Sequence, residues 1–396
     1  MDPILLWAII FISVAVMLYV SRKNIWIALF TGGLILLIPV ILETPAEIPN
    51  IIYKTFLDAY IFILAIAVGL IALIGGLLEI GGQMSQLVDN LPLRRRTTLA
   101  LSPAMIGMLP MPGGALLSAP LVDKLVEPHD PEAASALNVW FRHVLFLIYP
   151  LGTALLISAA AASLDVYAIL VYMFPFFIFS IIIGYFFLLR KFNNDKPNGH
   201  GYDKKALLMP VIALAIAPIL DFSLKRVVPI ASLATLIGVI VSLGFSLYLI
   251  KMDRTIFRKA VNKMKPWDFS LIIFGMMFYM YAFIASGASS AIASMSLPPP
   301  LLISILAFIL GFITGRIQSP MLILIPIFLA QYGSMTPFSF AVAFISVFTG
   351  YVISPIHPCV SVTARYFNVS IKSILSGMLK PAILLFLSAF IASFFI

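Results

Sequence analysis

Charge is scarce in this chain. Only 10% of its 396 residues are Asp, Glu, Lys or Arg, against about 25% in a soluble domain, and 62% are hydrophobic. So little charge cannot cover a globule in water, so a soluble fold is excluded and lipid is the expected solvent. Cysteine is scarcer still. Cys359 stands alone, which offers neither a disulfide framework nor a Cys-based metal site within one chain. With four histidines scattered along the sequence, no catalytic metal site is expected. No Asp or Glu occurs after Asp268. There is no H-E-x-x-H pair, no G-x-S-x-G elbow and no phosphate-binding loop, so no enzyme is expected. The lack of a nucleotide-binding domain excludes ATP-driven pumping by this chain alone.

Long apolar runs are abundant. A hydrocarbon core of about 30 Å takes roughly 20 helical residues. Continuous spans are expected near 4–20, 25–42, 57–80, 144–162, 166–189, 206–222, 228–250, 269–287, 336–363 and 374–396. Met1-Asp2-Pro3 carries no basic region and no small-residue cleavage pattern follows, so the first run reads as a retained helix rather than a signal peptide. Two further apolar stretches, 97–125 and 300–330, are interrupted: the first by Pro110-Met111-Pro112-Gly113-Gly114, the second by Thr314-Gly315-Arg316-Ile317-Gln318-Ser319-Pro320. Proline removes a backbone donor and glycine weakens a helix. Both stretches therefore read as re-entrant hairpins that leave the membrane on the side they entered.

The net charge of +9 does not indicate nucleic acid, because the cations cluster between apolar runs. Ten spans and two hairpins place Arg22-Lys23, Arg94-Arg95-Arg96 and the clusters in 190–205 and 251–265 on one side. The positive-inside rule makes that side the cytoplasm. Both termini then face outward, and one span more or fewer would split the clusters.

The breakers recur at an offset of about 205. Gly82 matches Gly287, Leu91-Pro92 matches Leu297-Pro298, Ile106-Gly107 matches Leu310-Gly311, Pro120 matches Pro326, and Tyr149-Pro150 matches Ser354-Pro355. Each half holds five spans and a hairpin. Five is odd, so the second copy must be turned over. The expected fold is an all-α polytopic membrane protein of about ten transmembrane helices plus two re-entrant hairpins. Its inverted-topology repeats, each with one helix broken by proline at Tyr149-Pro150 or Ser354-Pro355, would occupy 1–190 and 206–396, joined by a cytoplasmic linker 191–205. Secondary transporters use this architecture, with interrupted helices meeting at the substrate site; the competing reading is ordinary proline kinks.

Arg316 lies at the turn of the second hairpin. A charge deep in a bilayer costs at least about 2.5–3.5 kcal/mol, so it should face a partner or an aqueous cavity. Arginine holds carboxylate or phosphate through two hydrogen bonds, and hairpin tips expose backbone donors that attract anions. A small anionic substrate is expected, bound by Gly113, Gly114, Thr314, Gly315, Arg316, Gln318, Ser319, Ser354 and His357. The competing reading is a structural arginine on backbone carbonyls. Carbonyls at Pro110 and Pro112, with Tyr149 and Thr153 of the first broken span, are candidates to hold a coupling ion, sodium or a proton. His357 could itself titrate. Asn138, Arg142 and His143 read either as the cytoplasmic mouth of the cavity or as interface anchors. Glu79 and Asp123 are the acids best placed to neutralise a cavity, or are simply solvated at span ends.

The run Ser102-Pro103-Ala104-Met105-Ile106-Gly107-Met108-Leu109-Pro110-Met111-Pro112-Gly113-Gly114-Ala115-Leu116-Leu117-Ser118-Ala119-Pro120 resembles the signature of the DUF401 integral membrane proteins of archaea and bacteria. Asn138-Val139-Trp140-Phe141-Arg142-His143 fits the same pattern. The resemblance covers the whole chain. It implies membership of the ion transporter superfamily, with gluconate permeases, C4-dicarboxylate carriers and citrate transporters. It also implies a prokaryotic plasma-membrane location and a homodimer with scaffold and moving, elevator-type transport domains. Sodium–dicarboxylate relatives carry Ser-Asn-Thr at both tips; here Pro110-Met111-Pro112-Gly113 and Thr314-Gly315-Arg316 stand instead. A secondary carrier of a small organic anion is the leading expectation, a channel the second and a membrane-embedded enzyme the third.

Overall fold

The computed structural model describes residues 2–21, 23–91, 93–108, 115–126, 128–195 and 203–396. Those residues are almost wholly helical and contain no β-strand. The first half runs α1 (Pro3–Ser21), α2 (Ile25–Glu43), α3 (Ile48–Ile52), α4 (Ala59–Ile80), α5 (Gln83–Asp89), α6 (Arg95–Gly107), α7 (Ala115–Leu125), α8 (Pro131–Val144), α9 (Thr153–Ala161) and α10 (Val166–Gly184). The second runs α11 (Lys204–Leu224), α12 (Ala231–Leu249), α13 (Arg254–Met264), α14 (Pro266–Ala285) and α15 (Ala288–Ala293). A π-helical stretch, Pro300–Leu306, leads into α16 (Ala307–Thr314), followed by α17 (Gln318–Tyr332), α18 (Pro337–Val352), α19 (Pro358–Phe367) and α20 (Ile371–Ala392).

Scarce acids start many of these helices. Asp58, Asp130, Asp165, Asp203 and Asp253 each accept a hydrogen bond from a backbone N–H in the first turn of the helix that follows. First-turn amides have no intrahelical acceptor, and a side-chain cap is worth about 1 kcal/mol. The acids thus sit at helix mouths, where both cap and solvent are available.

Among the described residues, eight helices are long and apolar enough to cross a bilayer. The two spans expected to be broken by proline, 144–162 and 336–363, are pairs of shorter helices, α8/α9 and α18/α19, separated by the breaks at Tyr149–Gly152 and Ile353–His357. The first pair begins at Pro131, well before 144. Pro131 occupies the first turn, where its missing N–H is harmless, and Asp130 caps the end. The basic segment 251–265, expected as a loop, is mostly the amphipathic α13.

The two halves repeat the same series of elements. Gly82 and Gly287, with φ +79° and +78°, stand before the short helices α5 and α15. Helix partners exchange between halves: α2 packs along α14, and α12 along α4. Close helix crossings repeat too. A side chain at Gly107 would collide with the Arg142 carbonyl between α6 and α8, and one at Gly311 with the Val347 carbonyl between α16 and α18. The mates α4 and α14 run antiparallel. Phe62 faces Phe274 at 6.2 Å between ring centroids, Ser270 Oγ lies 2.8 Å from the Ala65 carbonyl, and Gly69 abuts Pro266. One mate is therefore turned over relative to the other.

Large apolar side chains remain exposed on the outer faces of α1, α2, α10, α11 and α20, including Phe11, Leu34, Val171, Phe174, Ile219, Leu379 and Leu387. Such a girdle belongs in hydrocarbon. The interior is formed by α4, α8, α9 and α18, most of whose residues are buried. The basic segments meet at one end of the molecule, where Arg95 pairs with Asp195 at 2.9 Å, Lys191 with Asp130 at 2.8 Å and Lys263 with Glu79 at 2.6 Å. This is the basic face.

Candidate functional site

The second hairpin turns over three residues. Helix α16 ends at Thr314, Gly315 takes a left-handed conformation (φ +58°), and α17 starts at Gln318. The Thr314 hydroxyl is 3.2 Å from both the amide and the carbonyl of Arg316, which closes the turn. Gly315 rests against the break between α18 and α19. A Cβ there would lie 2.9 Å from Ile356 Cγ1 and 3.1 Å from the His357 amide nitrogen. Ser354 fastens the same contact from the other side, donating to the Phe312 carbonyl at 2.6 Å.

The turn aims Arg316 at the basic face. Its Nη2 donates to the Ser21 carbonyl, at the end of α1, at 2.7 Å. One guanidinium donor is thereby fixed on a backbone carbonyl; arginine has five. The side chain borders a cavity of about 510 Å³ lined also by Lys23, Asn24, Trp26, Thr153, Lys263, Lys265, Asp268 and Gln318. Four cations and one carboxylate share this wall. Lys263 is held by Glu79, and Asp268 accepts from Trp26 Nε1 at 3.2 Å. Lys23, Lys265 and Arg316 make no ion pair among the described residues, so the wall carries excess positive charge. Thr153 and Gln318 are the first residues of α9 and α17. Two helix N-termini, with their free amides and positive dipole ends, therefore meet the same cavity. The Ser319 hydroxyl beside them is buried with no hydrogen-bond partner. A second cavity, of about 490 Å³, lies on the other flank of Arg316 between α1, α16 and the break, lined by Leu18, Tyr19, Ile313, Ile356 and Pro358.

The structure thus brings Thr314, Gly315, Arg316, Gln318, Ser319 and Thr153 together. Pro110, Pro112, Gly113 and Gly114 lie outside the described residues. Tyr149 is elsewhere: its hydroxyl points toward the Leu214 carbonyl of α11 at 3.5 Å. Asn138, Arg142 and His143 occupy the buried last turns of α8. Asn138 Nδ2 donates to Thr363 Oγ1 of α19 at 3.2 Å, and the His143 ring packs against Tyr351 and His357. None of the three lines the Arg316 cavity. Helix α8 starts earlier than its hydropathy suggests, which carries these polar residues inward. Glu79 and Asp123 lie toward the basic face, Glu79 on Lys263 and Asp123 3.5 Å from the Tyr366 hydroxyl.

Asp221 escaped the sequence reading. It is 1% exposed and is met by Tyr167 and Thr235 hydroxyls at 2.7 Å each and by Lys225 Nζ at 3.1 Å. Its one signal in the sequence is a lone acid followed four residues later by a lysine at the end of an apolar run.

Eight helices long and apolar enough to span, two broken pairs and a hairpin ending on a buried turn, all among the described residues, define a multi-pass helical membrane protein. A solved structure shares this fold: the Alcanivorax borkumensis YdaH transporter, described as having an unusual topology, is 16% identical, with a TM-score of 0.61 over 88% of each chain. No curated protein matches the sequence. The family model described as "Protein of unknown function (DUF401)" matches residues 5–396, and the chain belongs to that family.

Proposed function

We propose that this chain is a secondary active transporter that moves a small organic anion, a carboxylate by its chemistry, by alternating access. The observation that carries this reading is the Arg316 cavity, whose wall combines unpaired cations with two helix N-termini. Arg316 would hold the carboxylate, with Gln318, Ser319 and the α17 amides completing its shell and Thr153 facing it from α9. Thr314 and Gly315 set the turn. Ser354 and His357 support the tip from the break.

The halves 1–190 and 206–396, joined by 191–205, act as inverted repeats in this reading. The cavity opens at the basic face, which the positive-inside rule assigns to the cytoplasm of a prokaryotic plasma membrane, with both termini outside. The long helices α1, α2, α4, α11, α12 and α14 pack mainly on one another, and the broken pairs pack with α10 and α20. That division suits a scaffold and a moving transport body, hence an elevator-type mechanism, in a homodimer. Coupling to sodium or protons follows from the secondary-carrier reading; kinship with gluconate permeases and the wider ion transporter superfamily is what the family resemblance implies.

Purified protein in proteoliposomes tests this directly. A panel of carboxylates is first screened by thermal shift with and without sodium, since specific binding stabilises the folded state by mass action. Uptake of the best ligand is then followed under an imposed ion gradient. Accumulation above the bath concentration, lost in Arg316→Ala and not restored in Arg316→Lys, is the expected result. Downhill equilibration alone would mark a channel. Uptake unchanged in Arg316→Ala would remove Arg316 from the site.

A further inference from the structure

Two histidines and the only cysteine meet behind the hairpin tip. His143 comes from the last turn of α8, in the first half. His357 and Cys359 flank Pro358 at the start of α19, in the second. Their ligating atoms lie within 4.8 Å of one another. Sequence separation hid this: the histidines are 214 positions apart, and only the interlocking of the two halves joins them.

Each side chain is set up to bind through a lone pair. His143 Nδ1 is 2.7 Å from the Val139 carbonyl, so the proton is held on Nδ1 and Nε2 presents its lone pair. Metal-bound histidines are oriented in this way by their outer partners. His143 Nε2 faces the Tyr351 hydroxyl at 3.2 Å, a contact an ion can replace. His357 is fully buried, its ring tilted by 34° against the Tyr351 ring with 4.1 Å between centroids, and neither ring nitrogen has a hydrogen-bond partner of bonding geometry. Buried imidazole nitrogens without partners are costly and rare. Cys359 is partly exposed, and its neighbours Ile356 and Pro358 line the second cavity, which gives an ion a route in.

The geometry points to a binding site for a thiophilic metal ion, monovalent copper in preference to zinc, ligated by His143 Nε2, one ring nitrogen of His357 and the Cys359 sulfur. Thiolate and imidazole together select soft ions. Metal–ligand bonds of about 2.0–2.3 Å put ligand atoms about 3.5 Å apart, so closure asks for a shift of about 1 Å. On binding, the thiol releases its proton to solvent and a sulfur–metal bond forms. Monovalent copper with one thiolate is then neutral, as a buried site requires. A divalent ion would leave a net positive charge next to Arg142 and would still seek a fourth ligand. The ion would tie α8 to α19 at the surface against which Gly315 rests, joining the two halves behind the hairpin. None of this depends on what the Arg316 cavity carries.

Copper binding tests the site without any transport assay. Detergent-purified protein is equilibrated anaerobically with copper(I) buffered by bathocuproine disulfonate, separated by gel filtration and measured by mass spectrometry. One copper per chain is expected, with one sulfur and two nitrogen neighbours in the X-ray absorption spectrum. Affinity is expected to fall at least a hundredfold in Cys359→Ser and in His357→Gln, and zinc(II) to bind at least a hundredfold more weakly than copper. Absence of copper from the unaltered protein, or equal affinity in Cys359→Ser, overturns the site; tighter zinc overturns the monovalent assignment. Cys359 is partly exposed, so Cys359→Ser keeps the test valid even where His357→Gln does not fold.

Discussion

The Ser270 hydroxyl donates to the carbonyl of Ala65, 205 positions earlier, and 205 is also the offset that matches Gly82 with Gly287. Ser270 therefore touches its own counterpart in the other half. Residues meet their counterparts only near the axis that relates two copies, so the axis passes between α4 and α14 at this bond. The α2–α14 and α4–α12 pairs then fall on either side of it.

Matched glycines are expected to fail alike. In Gly107→Val and Gly311→Val the new side chain meets a backbone carbonyl of the neighbouring helix, which cannot move without separating α6 from α8 or α16 from α18. Each should destabilise by about 3 kcal/mol or more, in the range of severe overpacking. Gly244, in α12, has open space around a Cβ; Gly244→Ala should instead stabilise by about 0.5–1 kcal/mol through helix propensity. Thermal unfolding in detergent separates the three.

At the hairpin tip, left-handed backbone and crowding act together. Gly315→Ala adds strain at φ +58° and a Cβ against Ile356, for a cost of about 2–3 kcal/mol. Gly333 is also left-handed, at φ +79°, but nothing lies within 4 Å of a Cβ there. Gly333→Ala should cost about 1 kcal/mol. Equal melting temperatures for the two variants would contradict the tip packing described above.

Asp221 should behave as a structural acid. Asp221→Ala leaves Lys225, whose side chain is only 16% exposed, without its nearest carboxylate and strands the Tyr167 and Thr235 hydroxyls. Breaking a buried pair on one side costs about 3–5 kcal/mol. Asp221→Asn keeps two polar contacts and should lose less. Comparing the two melting curves shows whether the charge or the hydrogen bonds hold α11 to α12.

Asp130 makes the stability of the fold depend on pH on the acid side. Partial burial pushes its carboxyl up, but hydrogen bonds from Lys191 and the Ala133 amide more than reverse this, leaving it below the ordinary value. The folded state then binds the proton less readily than the unfolded one. Its contribution is complete above about pH 4, the ordinary aspartate value, and is lost as pH falls through the lower folded value. Asp130→Asn preserves a cap acceptor and should flatten this acid limb, while Asp130→Ala should cost about 1 kcal/mol at neutral pH. Melting temperature against pH from 3 to 7 reads both effects.

Breakers were the legible part of the sequence. Gly82, Gly287 and Gly315 announce left-handed turns by residue type, and the prolines at 150 and 355 mark where helices stop. Hydropathy found the eight unbroken spans because lipid imposes length and apolarity. It misplaced the start of α8, since a buried helix carrying Asn138, Arg142 and His143 reads as polar although its partners lie inside the protein. The cluster of His143, His357 and Cys359 and the cage around Asp221 depend on contacts between distant segments, for which local pattern holds no signal.

Arg316 is tethered to Ser21 at the basic face, and this has an electrical consequence. An arginine that crosses the bilayer alone carries one positive charge, and with a monocarboxylate it carries none. A potential of 100 mV, negative on the basic side, then biases the empty form toward the conformation seen here by about 2.3 kcal/mol for a full crossing, roughly fiftyfold in population. A form loaded with the carboxylate and no coupling ion feels no such bias, whereas each coupled cation restores one charge. Voltage would thus reset the empty site, and the dependence of counterflow on potential, in vesicles clamped with potassium and valinomycin, should report how many cations travel with the substrate.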